Sequence, residues 1–246
     1  MTVLKISGSD AAKFLNDLVT NELDGLTNGM VYAALLTPQG KYIADFLLFE
    51  REGAIHLDVA EDHAPGLVQR LTMYRLRADV TIEETELAVA RGLGDVPNGA
   101  FTDPRHEALG WRGYDRQPGQ DVEWDRIRVE HVIPKAGIEL GPETYILEAG
   151  FERLNGVDFR KGCFVGQEIV ARMKHKTDLR KGLVQVAIDG RAEAGTPISM
   201  PDGREAGTLH TQAGERAIAF LRFDRAKAEL SAGDARIVPL METAGG

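Results

Sequence analysis

The stretch Lys161-Gly162-Cys163-Phe164-Val165-Gly166-Gln167-Glu168 contains the only cysteine of the chain. One cysteine excludes an intramolecular disulfide, so the fold depends on its core and a reducing compartment is expected. Spacing leaves two readings of Cys163. Arg160 and Lys161 precede it and the pattern predicts a helix from Gln167 to about Lys174, and both cations and a helix N-terminus favour a thiolate. Between Lys161 and the apolar pair Phe164-Val165, it equally fits a small buried hydrophobe. Downstream lie Arg172, Lys174, Lys176, Arg180 and Lys181 with His175 among them, opposed only by Asp178. That run reads either as a solvated face or as a subsite for a carboxylate, a phosphate or an RNA backbone.

The rest of the chain narrows these options. Its 246 residues, 43% apolar and 27% charged, have ordinary globular composition. A net charge of −9 argues against general nucleic-acid binding, which draws its affinity from phosphate neutralisation. The opening Met1-Thr2-Val3-Leu4-Lys5-Ile6 has no signal-peptide run, and no window approaches a membrane span, so the expected location is cytoplasmic with no membrane partner. The six histidines (His56, His63, His106, His131, His175, His210) are scattered without ligand spacing, so no metal site is expected. An intrinsic iron–sulfur cluster would need about four thiolates. Phosphate-binding glycine loops and Gly-x-Ser-x-Gly elbows are absent from the sequence.

Ser9 is placed to cap a helix running to about Thr20, with Phe14, Leu15, Leu18 and Val19 on one stripe. Val31–Leu36 and residues 41–49 read as strands joined by the tight turn Thr37-Pro38-Gln39-Gly40. Ile55, Leu57 and Val59 alternate as a third strand, and residues 62–77 look helical. Residues 80–84 and 87–91 read as a further strand pair, and residues 98–120 as an irregular stretch. Asp125 can cap a helix to about Ile133, closed by Pro134. Beyond Asp178 short β runs (183–188, Ile198, 217–223, 237–240) alternate with glycine turns, predicting a small barrel or sandwich from about residue 179. The small-residue end, 243–246, is expected to fray. The fold class is thus α+β with an all-β C-terminal domain.

Two carboxylates lie in apolar surroundings. Alternation puts Asp45 on one face with Ile43 and Leu47, where a buried charge needs a partner or a ligand. Glu148, in Ile146-Leu147-Glu148-Ala149-Gly150, is suited to a heterocycle with adjacent N–H donors, since a carboxylate accepts two parallel hydrogen bonds.

The segment 161–168 followed by Val170-Ala171-Arg172 resembles the signature of the YgfZ-type folate-binding proteins. These are bacterial relatives of a mitochondrial iron–sulfur assembly factor, in the superfamily of the glycine-cleavage T-protein, an aminomethyltransferase. Asp10-Ala11 to Phe14-Leu15 with Thr20-Asn21, the turn 37–41 to Asp45, Asp103-Pro104-Arg105 with Leu109-Gly110-Trp111-Arg112, and the run 217–222 before Asp224-Arg225 follow in the family's order. The resemblance implies a T-protein-like ring of three domains. Two interleaved α+β subdomains (1–48 with 122–178, and 49–121 inserted) precede a C-terminal barrel at 179–246. It implies binding of tetrahydrofolate or another reduced folate, with Glu148 on the pterin, Asp45 by the reacting nitrogen, and Lys161, Gln167 and Arg172 in the same site. Cys163 matches the cysteine that the T-protein lacks, and Cys163 and Asp45 are the two candidates for chemistry. The implied role is an accessory to cluster assembly or repair in iron–sulfur enzymes, among them radical enzymes that modify tRNA, with those clients or assembly proteins as partners. Asp45 departs from the neutral residue of some YgfZ proteins and keeps a one-carbon transferase open as the rival. Docking of RNA or protein on the basic run is a third reading.

Overall fold

Thr2-Val3-Leu4-Lys5-Ile6-Ser7 forms a strand that sends Leu4 and Ile6 into the core. The computed structural model describes residues 1–115, 117–176, 179–226 and 229–240, with only the backbone of residue 176. Asp178, the Lys176 side chain and residues 243–246, all read above, lie outside the described residues. The chain forms two compact units, Met1–Val122 with Phe151–Arg172, and Glu123–Gly150 with Met173–Gly246.

In the first unit β1 (Thr2–Ser7), β2 (Val31–Leu36), β3 (Tyr42–Arg51), β4 (Ala54–Val59) and β5 (Thr81–Glu84) build an antiparallel sheet in the order β2-β3-β4-β1-β5. Helices α1 (Ala11–Asn16) and α2 (Ala64–Arg75) cover one face. Leu4, Ile6, Phe46, Leu48, Leu57 and Val59 pack there against Phe14, Leu15, Leu67 and Leu71. Each of these apolar side chains removed from water contributes roughly 1.5–3 kcal/mol, and this burial fixes the register of the whole sheet. A second sheet of β6 (Ala90–Gly92), β7 (Phe101–Thr102) and β8 (Trp111–Gly113), ordered β6-β8-β7, meets the other face. Phe49 of β3 stacks on Tyr114 with centroids 4.0 Å apart and touches Phe101 at 5.5 Å.

In the second unit α3 (Trp124–Glu130) packs on a closed barrel of β9 (Lys181–Asp189), β10 (Pro197–Ser199), β11 (Glu205–Ala213), β12 (Arg216–Arg222), β13 (Leu230–Ala232) and β14 (Ala235–Pro239), ordered β10-β11-β12-β9-β14-β13. Closure pairs every strand edge, which a small sheet in water needs. Val186, Ile188, Ile198, Leu209, Leu221 and Ile237 fill it. Helix α4 (Gln167–Lys176) crosses the boundary between the units.

The hairpin, the third strand, the helix in 62–77, the helix after Gln167 and the barrel form as the sequence predicts. Five expectations need correction. Ser9 caps nothing: its N–H and hydroxyl both donate to Asp79 Oδ2, and α1 follows Asp10 and stops at Asn16. Asp125 lies inside α3 and accepts from Arg128 Nη1, so it is not the cap. The predicted pair 80–84 and 87–91 does not pair; β5 runs beside β1, and β6 beside β8. The irregular stretch contains β7 and β8, and β11, the longest barrel strand with β9, was not read at all. Residues 123–150, expected with the N-terminal subdomain, belong to the barrel's unit because α3 lies against β11 and β12.

Candidate functional site

Asp45 is half-buried on β3, directly opposite Ala34 of β2. In an antiparallel pair the diagonal neighbour is also within reach of a long side chain, and Tyr32 takes that place. Its phenol donates to Asp45 Oδ2 at 2.9 Å. Tyr42 donates to Oδ1 at 2.6 Å while its own oxygen accepts the Asp45 backbone N–H at 3.2 Å. Burial, reinforced by Asp45, raises both phenols well above the usual tyrosine range, so both keep their protons and act as donors. Asp45 is therefore held as an acceptor. An ionised carboxylate has about four lone-pair sites, so the two phenols leave Asp45 free to accept from a further N–H.

Tyr32 is itself pinned. Its ring stacks on Phe151 at 5.0 Å, and the Arg105 guanidinium lies 5.5 Å from its centroid. On the α2 side, Tyr42 meets His63 edge-on at 5.9 Å. Beside them a cavity of about 390 Å³ is lined by Ile43, His63, Arg70 and Met73 among others, and the His63 Nδ1 is buried without a hydrogen-bond partner.

The signature segment lies against the turn of the same hairpin. Gly166 has φ +85°, and a Cβ there would come within 2.7 Å of the Thr37 carbonyl and 3.0 Å of Gly40 Cα. Only a glycine allows this approach. Cys163 is exposed, which ends the buried-hydrophobe reading; Phe164 takes the buried place instead. The two preceding cations are engaged elsewhere. Lys161 is buried and donates to the carbonyls of Asn16 (2.7 Å), Val19 (2.8 Å) and Asn21 (2.9 Å). An ammonium has three N–H donors, so all are occupied and the folate contact expected of Lys161 has no donor left. Burial lowers its pKa despite nearby carboxylates. Arg160 lies 3.4 Å from Asp158. Gln167 opens α4 half-buried, and Arg172 is an exposed cation paired with Glu168 at 2.9 Å. Lys181 lies 3.6 Å from Glu148. The basic run is therefore less unopposed than its sequence suggests, since Asp178 is not its only counter-charge.

Glu148 belongs to the second unit and is 9% exposed. Its carbonyl accepts from Leu183 N–H at 2.8 Å, and a Cβ on Gly182 would meet that carbonyl at 2.9 Å. The strand β9 thus holds the Glu148 loop by its backbone and leaves the carboxylate beside Lys181.

Among the described residues no group of three or more His, Cys, Asp or Glu side chains is arranged to hold a metal ion, and no helix is long and apolar enough to cross a membrane. Tyr32 and Tyr42 are not singled out by the sequence, and His63 figures there only as one of six scattered histidines. The turn 37–40 alone does not make Tyr32 a diagonal neighbour of Asp45, because a register shift between Leu35 and Leu36 moves the pairing by one residue.

The fold is that of the glycine-cleavage aminomethyltransferases. The structure of aminomethyltransferase T of the glycine cleavage system from Bartonella henselae superposes with a TM-score of 0.76, covering 98% of this chain and 83% of that one at 13% identity. Residues 180–242 match the family described as CAF17, C-terminal beta-barrel domain. The iron–sulfur cluster assembly factor IBA57 of Mus musculus is 30% identical over 93% of this chain and 77% of its own length. The human factor is 28% identical with the same coverage, and the homologue from Mycosarcoma maydis 27% over 79% of this chain and 56% of its own. The chain belongs to the IBA57 family of iron–sulfur cluster assembly factors. These relatives are mitochondrial proteins, which overturns the expected cytoplasmic location.

Proposed function

We propose that this protein binds a reduced folate, tetrahydrofolate or a derivative of it, and serves the assembly or repair of iron–sulfur clusters on other proteins, as the YgfZ-type members of the superfamily are understood to do. The observation that carries the folate reading is Asp45. Two phenols donate to its two oxygens, and its remaining lone pairs suit the N–H donors of a reduced pterin or its bridge. Glu148, nearly buried and 3.6 Å from Lys181, has the same chemistry for paired N–H groups. Family membership supports the iron–sulfur role. Cys163 is exposed and can reach the iron of a cluster carried by a partner, which one thiolate can ligate but cannot hold alone. Client or assembly proteins, including radical enzymes that modify tRNA, are the partners on this reading.

Calorimetric titration of the full chain with tetrahydrofolate tests it, alongside Asp45→Asn and Glu148→Gln. Binding by the wild type that weakens in both variants is the expected result, and no binding by the wild type removes the folate reading. Formation of methylene-tetrahydrofolate from an aminomethyl donor would move the protein to the transferase class. For the thiol, Cys163→Ala is expected to keep folate affinity and to fail to restore iron–sulfur enzyme activity in a deletion strain; full restoration would exclude a role for the thiol.

A further inference from the structure

The segments Asp103-Pro104-Arg105 and Leu109-Gly110-Trp111-Arg112 have no part in the reading above, yet they converge on one buried point of the first unit. Arg105 grips Asp103 with both prongs, Nε to Oδ1 at 2.9 Å and Nη2 to Oδ2 at 2.6 Å. Asp103 Oδ2 also accepts from Arg112 Nε at 3.3 Å, and Arg112 Nη1 donates to Asp58 Oδ2 on β4 at 2.5 Å. Tyr114 donates to the same oxygen at 2.8 Å. Asp58, Asp103 and Arg112 are 1–3% exposed. Burial alone would disfavour every charge here, but the guanidiniums outweigh it for Asp103, whose carboxyl lies far below the usual range. Asp103 in turn holds Arg105 charged against its own desolvation.

We infer that Arg105 is a positioning residue for the Asp45 site: locked on Asp103, its guanidinium lies against the Tyr32 ring and fixes the phenol that donates to Asp45 Oδ2. A planar guanidinium in a bidentate pair has no freedom to follow a moving ring, and its attraction to the ring face resists tilting. Phe151 closes the other contact of Tyr32 at 5.0 Å. The ring is held on two sides, its hydroxyl has one place to point, and the plane of the Asp45 carboxylate follows. The remaining lone pairs of Asp45 are thereby aimed by residues 58–67 positions away along the chain, since Asp103, Arg105 and Arg112 are joined to Asp45 through Tyr32 and not through β3 itself. The inference rests on the reading that Asp45 receives a ligand N–H.

The test compares Arg105→Gln and Arg105→Lys in the full chain by two measurements. The first is the proton NMR signal of the hydrogen-bonded Tyr32 hydroxyl, assigned by its loss in Tyr32→Phe. The second is tetrahydrofolate affinity by calorimetry. In Arg105→Gln the hydroxyl signal is expected to shift or exchange away, and affinity to fall about tenfold, the size of a lost cation–aromatic contact in a desolvated place. Arg105→Lys, which keeps the charge without the fork, is expected to recover part of both. An unchanged Tyr32 signal in Arg105→Gln overturns the inference whatever folate does. Absence of folate binding by the wild type removes the functional reading, while the Tyr32 signal still decides the role of Arg105. If Arg105→Gln does not fold, Asp103→Asn/Arg105→Gln, which removes both charges, is measured in its place. Failure of that double variant to fold would make Arg105 a folding residue and overturn the inference.

Discussion

Each unit buries an arginine against carboxylates, and the two networks differ in how completely they close. In the second unit Arg128 donates to Glu139 Oε2 at 2.5 Å, to Asp125 at 2.7 Å, to the Ile133 carbonyl at 3.1 Å and to the Thr211 hydroxyl at 3.3 Å. Glu139 also accepts from the Lys135 and Thr211 backbone N–H groups and the Thr211 hydroxyl. Both of its oxygens accept from donors of the same unit, and the network fastens α3 and the loop after it to β11. In the first unit the chain from Tyr114 through Asp58, Arg112, Asp103 and Arg105 to Tyr32 ends on Asp45, which is half-buried, and Asp58 Oδ1 is buried without a partner. Leaving buried acceptors short of donors is unfavourable for folding. The same residue types therefore close a structural joint in one unit and present a carboxylate in the other.

The largest effect should come from opening the closed network. Arg128→Met leaves Glu139 buried with its charge uncompensated and is expected to cost about 3–5 kcal/mol in denaturant unfolding. A loss under about 1 kcal/mol would mean that this network is no more a joint than the other. Asp45→Asn should do the reverse: a small change in unfolding, with tetrahydrofolate affinity reduced by the equivalent of about 1.5–3 kcal/mol for a charged acceptor. Equal losses of stability in the two variants would erase the distinction.

Acid acts on both units, and more gently. Burial lowers the pKa of His56 in the first unit, helped by Arg51 and Lys5, and that of His210 in the second, against the pull of Glu139. A depressed histidine keeps its stability above the unfolded value of about 6.5 and loses it as pH falls below, because the unfolded chain takes up the proton first. The thermal midpoint should therefore fall from pH 7 towards pH 5. His56→Phe, which preserves a ring against Phe49, should remove part of that fall, and a pH profile identical to wild type would assign it all to His210 or other groups. The smallest effect belongs to the exposed Glu168–Arg172 pair on α4, where Glu168→Ala should change stability by only about 0.2–0.5 kcal/mol.

Short-range signals carried much of this fold in the sequence. Pro38 and Gly40 announced the hairpin, glycine-spaced β runs announced the barrel, and alternation placed Asp45 on an apolar face. Caps failed where a distant residue competed: Ser9 looked like a cap because its rival, Asp79, is 70 residues away. Lys161 looked like a cation for a ligand because nothing local shows three carbonyls turning towards it. Asp58, Asp103 and Arg112 could not be grouped at all, since their meeting depends on how β8 folds back against β4. The candidate site was thus legible as single residues and illegible as a network.

The contact between Gly40 and Gly166 has a mechanical consequence. Two backbones touch there with no side chain between them, so no rotamer can take up a shift of one against the other. The loop bearing Cys163 is consequently carried by the β2–β3 hairpin as a lever is carried by its arm, and its thiol is accessible without being loosely hung.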